Sequence, residues 1–437
     1  MLKSLVTLME KNPRREFLKS AATAAFTTSI FTGNVKGAND RVAAAFIGVG
    51  RMGQGNLGVA MKQDNLEAVA ICDVYKPNLD KAVKMTDGKA RGVKDFREVL
   101  ADKSIDVVCI STPDHWHAYM TVEACKAGKD VYVEKPICVT VDEGAKMVQA
   151  ARKYNRVVQA GTMQRSGIHF QKAAEIVKSG QIGEVNFVRT WNYGLARKEG
   201  IGNPADAAPP AELDWDLWLG PAPARPFNAN RFGVDPKAFS HFRWFWDYAG
   251  GMMTDWGVHL LDIVQMAFDE KMPKSITALG NKFWLTDNRE TPDTLIVSYE
   301  YPGFLATYEN RNSSSESMFG KGYGILFHGT KGTLFVDRSL YKLVPEKGTD
   351  LVETEVKSSN NANMAHWANF LQCVKTRQKP NSDIEICQRS STTCLLGNVA
   401  LRSGLRIDWD EKRWTTVQPE ARKFLSKEDR KPWRIKV

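Results

Sequence analysis

From residue 42 onward, short apolar runs alternate with stretches of helical periodicity. Val42–Ile47, Leu66–Cys72, Ile105–Ile110, Val131–Val133 and Val157–Ala160 read as buried strands. Between them, a helix opened by a Gly-rich turn at Gly48–Gly53, another after Pro77, one over about 118–127 and one over Val141–Tyr154 complete a series of βαβ units. Strands of this length separated by helices specify a parallel sheet. Past about residue 160 the texture changes. A helix at His169–Ser179 leads to a strand at Val185–Trp191, then to a long Pro/Ala/Trp-rich loop over Ala196–Lys237. An amphipathic helix is predicted over Gly251–Phe268. Strands at Ile276–Leu285, Thr294–Tyr301, Leu305–Asn310, Gly324–His328 and Thr333–Val336 follow without intervening helices, which points to an antiparallel sheet. Helices at Met364–Arg377 and Cys387–Ser403 close the pattern. The reading is an α/β protein with four parts. These are a leader (1–37), a Rossmann domain (38–160), an α/β domain with a large, mostly antiparallel open sheet (161–410) and a basic C-terminal tail (411–437).

Composition changes this picture little. The 437 residues are 43% hydrophobic and 25% charged, as in ordinary globular proteins, and no apolar run is long enough to span a bilayer. The net charge of +10 sits mostly at the ends, with +4 in residues 1–37 and +5 in 411–437. The near-neutral body offers no basic face, so nucleic acid is not an expected partner. The tail reads as a solvated or packed terminus. The seven cysteines are odd in number and contain no CxxC, so they read as buried free thiols, with no metal site expected.

Gly48-Val49-Gly50-Arg51-Met52-Gly53 matches G-x-G-x-x-G, directly after a strand and opening a helix, and Asp73 ends the next strand. Gly48 allows the tight turn, Gly50 lets the backbone approach a pyrophosphate, and Gly53 allows close helix–strand packing. The helix N-terminus offers unpaired N–H groups to the phosphates, with Arg51 and Met52 beside them. Asp73 would accept hydrogen bonds from the adenosine ribose hydroxyls. A carboxylate there repels a 2′-phosphate, which favours NAD over NADP.

Three further segments stand at strand ends or a helix start: Ser111-Thr112-Pro113-Asp114-His115-Trp116-His117, Glu134-Lys135-Pro136, and Gly250-Gly251 through Asp255, Gly257, His259 and Asp262. Together with the glycine motif they resemble the Gfo/Idh/MocA oxidoreductases (glucose–fructose oxidoreductase, inositol dehydrogenase and rhizopine-catabolism proteins) over residues 41–410. The resemblance implies a Rossmann domain joined to an α/β domain that carries the substrate pocket, a nicotinamide cofactor, a cyclic polyol or sugar substrate, and a homo-oligomer (dimer or tetramer). It assigns Lys135, Asp255 and His259 as catalytic. Removing hydride from a carbinol carbon requires the hydroxyl proton to leave, and a histidine near neutral pKa suits that role. Asp255 and His259, at i and i+4, are expected to share a helix face, with the carboxylate orienting the imidazole. Lys135 can donate to the reacting oxygen; either His259 or Lys135 can be the formal base. Asp262 either reaches the pocket or solvates the helix. Ser111, Thr112, Pro113, Asp114, His117 and Glu134 are expected around the nicotinamide, His115 and Trp116 are expected to be exposed, and Gln164 is expected to touch cofactor or substrate.

Six of the twelve tryptophans fall within 191–256, interleaved with polar groups. This suits either a carbohydrate pocket, in which aromatic faces pack on sugar C–H faces, or core packing. Arg165, Tyr193, Arg243 and Trp244 join Lys135, Asp255 and His259 as candidate substrate contacts. At the N-terminus, Arg14-Arg15-Glu16-Phe17-Leu18-Lys19 precedes a weakly apolar run to Phe31, resembling a twin-arginine export signal. Periplasmic location follows from that reading, with cleavage near Gly37 or Ala38 or a retained anchor. An exported enzyme lacks a free nicotinamide pool, so a tightly held cofactor is expected. The function expected is a periplasmic NAD-dependent sugar or glycoside oxidoreductase. The alternatives are a redox-neutral NAD-dependent glycoside hydrolase or lyase, and a non-enzymatic sugar- or cofactor-sensing protein.

Overall fold

The computed structural model describes residues 41–233 and 240–437, so the arginine pair and the rest of the leader lie outside the described residues. The first half alternates strand and helix: β1 (Val42–Ile47), α1 (Arg51–Ala60), β2 (Leu66–Cys72), α2 (Lys76–Met85), β3 (Arg91–Val93), α3 (Phe96–Ala101), β4 (Val107–Ile110), α4 (Asp114–Lys126), β5 (Asp130–Val133), α5 (Val141–Lys153) and β6 (Val158–Ala160). The six strands are parallel in the order β3-β2-β1-β4-β5-β6. That is the doubly wound order, in which the chain switches direction between β1 and β4 and leaves a crevice at their carboxyl ends. Short β3 and α3 escaped the sequence pattern, because three- and six-residue elements show too little periodicity. Helix α4 begins at Asp114, four residues earlier than predicted.

The second half runs α6 (Ile168–Lys178), β7 (Val185–Leu195), α7 (Trp215–Leu219), α8 (Ala229–Phe232), α9 (Gly251–Asp255), α10 (Gly257–Ala267), β8 (Ser275–Asn281), β9 (Thr294–Tyr301), β10 (Phe304–Arg311), β11 (Ser313–Ser314), β12 (Tyr323–Gly329), β13 (Gly332–Val336), β14 (Leu340–Pro345), β15 (Thr354–Lys357), α11 (Ala362–Thr376), α12 (Ile384–Ser403), β16 (Ile407–Asp410) and β17 (Thr415–Thr416). Its sheet has eleven strands, in the order β15-β14-β13-β12-β7-β10-β9-β8-β16-β17 with β11 on β7, and is antiparallel except where β10 pairs β7. The loop predicted over 196–237 carries the short helices α7 and α8.

One prediction fails here. The helix predicted as one amphipathic rod over 251–268 is two helices meeting at Trp256, and α10 is buried on every face except at Met266. It packs against α6, α12 and β7, so no side is left for solvent. The two halves share packing across residue 160. Helix α11 returns to the first sheet, where Trp367, Phe370 and Leu371 join Phe46 and Ile71 in one apolar cluster. Trp367 stacks on Tyr132 of β5 at 4.4 Å with the planes 7° apart. The tail is packed as well: Trp433 meets the Trp116 ring at 4.9 Å. All seven cysteines are buried and free. Among the described residues, no helix is long and apolar enough to cross a membrane.

Candidate active site

The crevice between β1 and β4 opens into a cleft of about 390 Å³. Gly48, with φ +80°, turns the chain out of β1, and a Cβ there would stand 2.5 Å from the Thr112 nitrogen. A Cβ on Gly53 would stand 2.0 Å from the Gly48 carbonyl oxygen, so Gly53 serves the packing of α1 on the turn. Above Gly50 the space is open, its nearest neighbour being Asn78 at 3.8 Å. Gly50 caps α1 without any side-chain hydrogen bond, which leaves the first amides of the helix available to an anion. Asp73 closes the adenosine end. Its carboxylate accepts from the Val49 and Tyr75 amides at 2.8 and 2.9 Å, and burial nevertheless pushes its pKa up to about 6. Glycine turn, bare helix N-terminus and terminal carboxylate fit a dinucleotide. Arg51, Met52, Ser111, Thr112, Pro113, Asp114, His117, Glu134 and Lys135 all line the same cleft.

At the far end the loops after β4 and β5 are knitted together. Asn56 of α1 donates to Glu134 Oε1 at 2.9 Å and to Ser111 Oγ at 3.1 Å, and Glu134 Oε2 accepts from the Lys135 amide. A Cβ on Gly161 would stand 2.8 Å from Glu134, which explains the glycine after β6. His117 reaches the carbonyls of Pro136 and Thr112 at 2.7 and 2.8 Å, tying one loop to the other. Asn56 was missed at the sequence level, although a polar residue on the buried face of α1 was a usable signal.

Lys135 is the hinge of the site. Its Nζ donates to Asp255 Oδ1 at 2.7 Å and to the Asp255 carbonyl at 3.1 Å, bridging the two domains. Arg243 donates to the same Oδ1 through Nε at 2.8 Å. Both cations hold the Asp255 carboxyl well below the usual carboxylate range, against the opposing push of burial. The expected Asp255–His259 contact is absent. The break at Trp256 interrupts the i, i+4 geometry, and the carboxylate is taken by Lys135 and Arg243 instead. His259 is buried, its Nδ1 has no hydrogen-bond partner among the described residues, and burial together with Lys135 and Arg338 pushes its pKa well down. These causes disfavour the charged imidazolium, and neither His259 nor Asp255 is among the residues that line the cleft. Asp114, buried near the same charges, is pushed up to about 7, chiefly by desolvation.

Several predicted residues stand elsewhere. Gln164 does not line the cleft: its amide donates to the His259 carbonyl at 2.9 Å and accepts from Arg338 Nε at 3.1 Å, so it braces the site from behind. Arg165 is no substrate contact; it is buried in an ion pair with Asp262 at 2.8 Å and with Glu270. Asp262, fully buried and also bonded to Ser390, neither reaches a pocket nor solvates the helix. Tyr193 donates to Glu309 at 2.7 Å on the sheet, and Trp244 is buried under the Arg289 guanidinium; neither lines the cleft. Arg243 does. His115 and Trp116, expected outside, are buried and both reach the Trp218 carbonyl. Of the tryptophans clustered in the sequence, Trp218 alone lines the cleft; Trp215 stacks on it at 4.7 Å.

Residues 42–162 match the family model for the Gfo/Idh/MocA oxidoreductase family, NAD-binding Rossmann fold, and residues 176–435 match that family's C-terminal alpha/beta domain. Inositol 2-dehydrogenase of Salmonella typhimurium is 30% identical over 152 residues, 34% of this chain and 45% of that protein. A glycosyl hydrolase family 109 protein of Shewanella pealeana is 30% identical over 158 residues, 33% of this chain and 34% of that protein. The chain thus aligns with less than half the length of these curated relatives. Among solved structures, the WlbA dehydrogenase of Bordetella pertussis, in complex with NADH and UDP-GlcNAcA, is 19% identical with a TM-score of 0.63, covering 85% of this chain and 99% of that one. The aldose–aldose oxidoreductase of Caulobacter crescentus is 17% identical with a TM-score of 0.64, covering 84% and 99%. At such identities the likeness is one of fold. With both family domains matched in order along most of its length, the chain belongs to the Gfo/Idh/MocA family of NAD-binding oxidoreductases.

Proposed function

We propose that this chain is a periplasmic oxidoreductase that moves hydride between a hydroxyl-bearing carbon of a sugar or glycoside and a tightly held NAD. The observation that carries the reading is the Lys135–Asp255 bridge, which sets a cation from the Rossmann domain against the second domain at the inner end of the cleft. Bound NAD supplies the hydride acceptor. The chain's own residues handle the substrate oxygen and its proton. Lys135 spends two of its three N–H donors on Asp255 and keeps one for an oxygen in the cleft. His259, uncommitted at Nδ1 among the described residues and set behind the Lys135 end of the cleft, is assigned to take the hydroxyl proton. Relatives with inositol and sugar-nucleotide chemistry support a polyhydroxylated substrate.

The twin arginines support export, and the aliphatic side chains exposed on the large sheet (Leu279, Ile296 and Leu305) support a homo-oligomer built through that face. Replacing Arg14 and Arg15 by lysine should hold the protein in the cytoplasmic fraction, and sedimentation of the exported form should give a mass above that of one chain. A monomer, or unaltered export, sinks the respective part.

Redox-neutral glycoside cleavage is the second reading, favoured by the family 109 relatives over a third of the chain. The deciding experiment is to purify the protein, assay it for co-purified nicotinamide, and follow absorbance at 340 nm and aglycone release with aryl glycosides. A keto-sugar with matching reduction supports the first reading, and aglycone release without net NADH the second. Silence across a broad panel contradicts both.

A further inference from the structure

Arg338 belongs to no motif, yet it contacts Gln164 and Trp256, the two neighbours of His259. It sits in the turn between β13 and β14, which is pinned on two sides. The Asp337 carboxylate accepts from the Ser339 and Leu340 amides at 2.8 and 2.9 Å, and the Asp337 carbonyl meets His169 Nε2 at 2.9 Å. From this turn the Arg338 side chain lies over the Trp256 ring, with Cζ 4.8 Å from the centroid. Trp256 in turn stands 6.1 Å from the His259 ring and 4.8 Å from Tyr323. Arg338 Nε donates to Gln164, whose amide holds the His259 carbonyl. One edge of the guanidinium is therefore fixed by Gln164 and its face by Trp256. Its two terminal amino groups have no hydrogen-bond partner among the described residues.

A half-buried arginine held this firmly needs a counter-charge, and the nearby carboxylates are spent. Asp337 serves its own turn and Lys321, Glu309 pairs with Arg189, and Asp255 already holds both Lys135 and Arg243. Three cations, Lys135, Arg243 and Arg338, thus surround one firmly ionised carboxylate. Glu134 is taken up by Asn56 and the Lys135 amide, and burial raises the pKa of both Asp114 and Glu134. A planar guanidinium with two parallel free N–H groups matches a carboxylate in a bidentate pair.

We propose that Arg338 is a specificity-determining residue that binds the carboxylate of an acidic sugar, a uronate or aldonate, beside His259. The proposal rests on the sugar-oxidoreductase reading above and narrows its substrate class.

The test is isothermal titration of D-glucuronate, D-glucose and D-glucose 6-phosphate into NAD-loaded protein, which reads binding whether or not hydride moves. Wild type should bind glucuronate roughly ten- to hundredfold more tightly than glucose. Arg338→Gln should abolish that preference by weakening glucuronate far more than glucose, with NAD still bound, and Arg338→Lys should keep only part of it. Equal binding of glucuronate and glucose by wild type overturns the proposal even if no variant folds. So does an Arg338→Gln loss shared equally by both sugars, and tighter binding of the phosphate ester overturns the choice of carboxylate. Absorbance at 340 nm in parallel separates the two levels. Arg338-dependent uronate binding without any nicotinamide reduction would refute the oxidoreductase reading alone. Reduction by neutral sugars without uronate preference would refute the Arg338 assignment alone.

Discussion

Asp255 is the residue on which the site's electrostatics turn. It is 4% exposed and accepts from a lysine and an arginine that are nearly as buried, so removing it takes from both cations the carboxylate they share. Breaking a buried ion pair from one side typically costs ~3–5 kcal/mol. Asp255→Ala should lower the melting temperature markedly, whereas Lys135→Met should lower it less, because Arg243 still neutralises the carboxylate. An Asp255→Ala melting temperature equal to that of wild type would show that the pair carries no structural load. Asp255 has its pKa held down in the folded state, so its contribution is complete above the unfolded value and is lost as pH falls toward the folded one. Asp73 behaves in the opposite way. Burial lifts it to about 6, while ribose hydroxyls donating to it favour the ionised form. NAD affinity should therefore weaken as pH falls through about 6 and level off above it, and Asp73→Asn should flatten that dependence. Fluorescence titration of NAD between pH 5 and 8 reads both.

At the scale of elements, the strands and glycine turn of the first domain were legible because a parallel sheet buries both faces and leaves unbroken apolar runs. The broken helix was not. Gly251–Ala267 reads as one amphipathic rod, and only the packing of Tyr308 and Met253 around Gly257 and the capture of Asp255 by Lys135 reveal the break at Trp256. Arg338 was invisible for a similar reason: a turn arginine carries no periodic signal, and its neighbours Gln164 and Trp256 are far away in sequence. The aromatic segment within 191–256 was read as a pocket or a core, and in the fold its described residues contribute to both. Leu217, Trp218, Phe232 and Phe242 face the cleft while the rest pack together. The C-terminal segment fastens this insert. The Arg430 backbone amide donates to the Pro221 carbonyl at 3.0 Å, its Nε donates to the Gly220 carbonyl at 2.8 Å, and Trp433 wedges beside Trp116. Gly220 lets Trp116 approach so closely that a Cβ would lie 2.0 Å from the indole. Arg430→Ala combined with Trp433→Ala should loosen the insert and raise the NAD dissociation rate about tenfold or more, by an amount of order two charge-assisted contacts. Stopped-flow displacement measures it, and an unchanged rate would mean that the strap plays no part in holding the cofactor.

Over the whole molecule, the sequence motifs name residues that the fold gathers from four places: the ends of β4 and β5, the 3₁₀ turn at Met163–Ser166 and the helix pair α9–α10. Lys135 and Asp255, 120 positions apart, meet at 2.7 Å, where the sequence reading had paired Asp255 with His259. Arg165, Tyr193 and Trp244 were drawn in by composition alone, and composition cannot tell a polar group facing a ligand from one paired inside the protein. The central claim is that this gathered set lets the hydroxyl-bearing carbon of a sugar pass its hydride to a nicotinamide held in the cleft. Its most direct measurement is single-turnover absorbance at 340 nm after mixing NAD-loaded protein with glucuronate and a panel of sugars, comparing wild type with Lys135→Met and His259→Gln. The account predicts a stoichiometric rise for wild type and rates lower by about 10²–10⁴-fold in both variants, with NAD still bound. Wild-type rates in both variants, or no rise in wild type with any sugar, would contradict it.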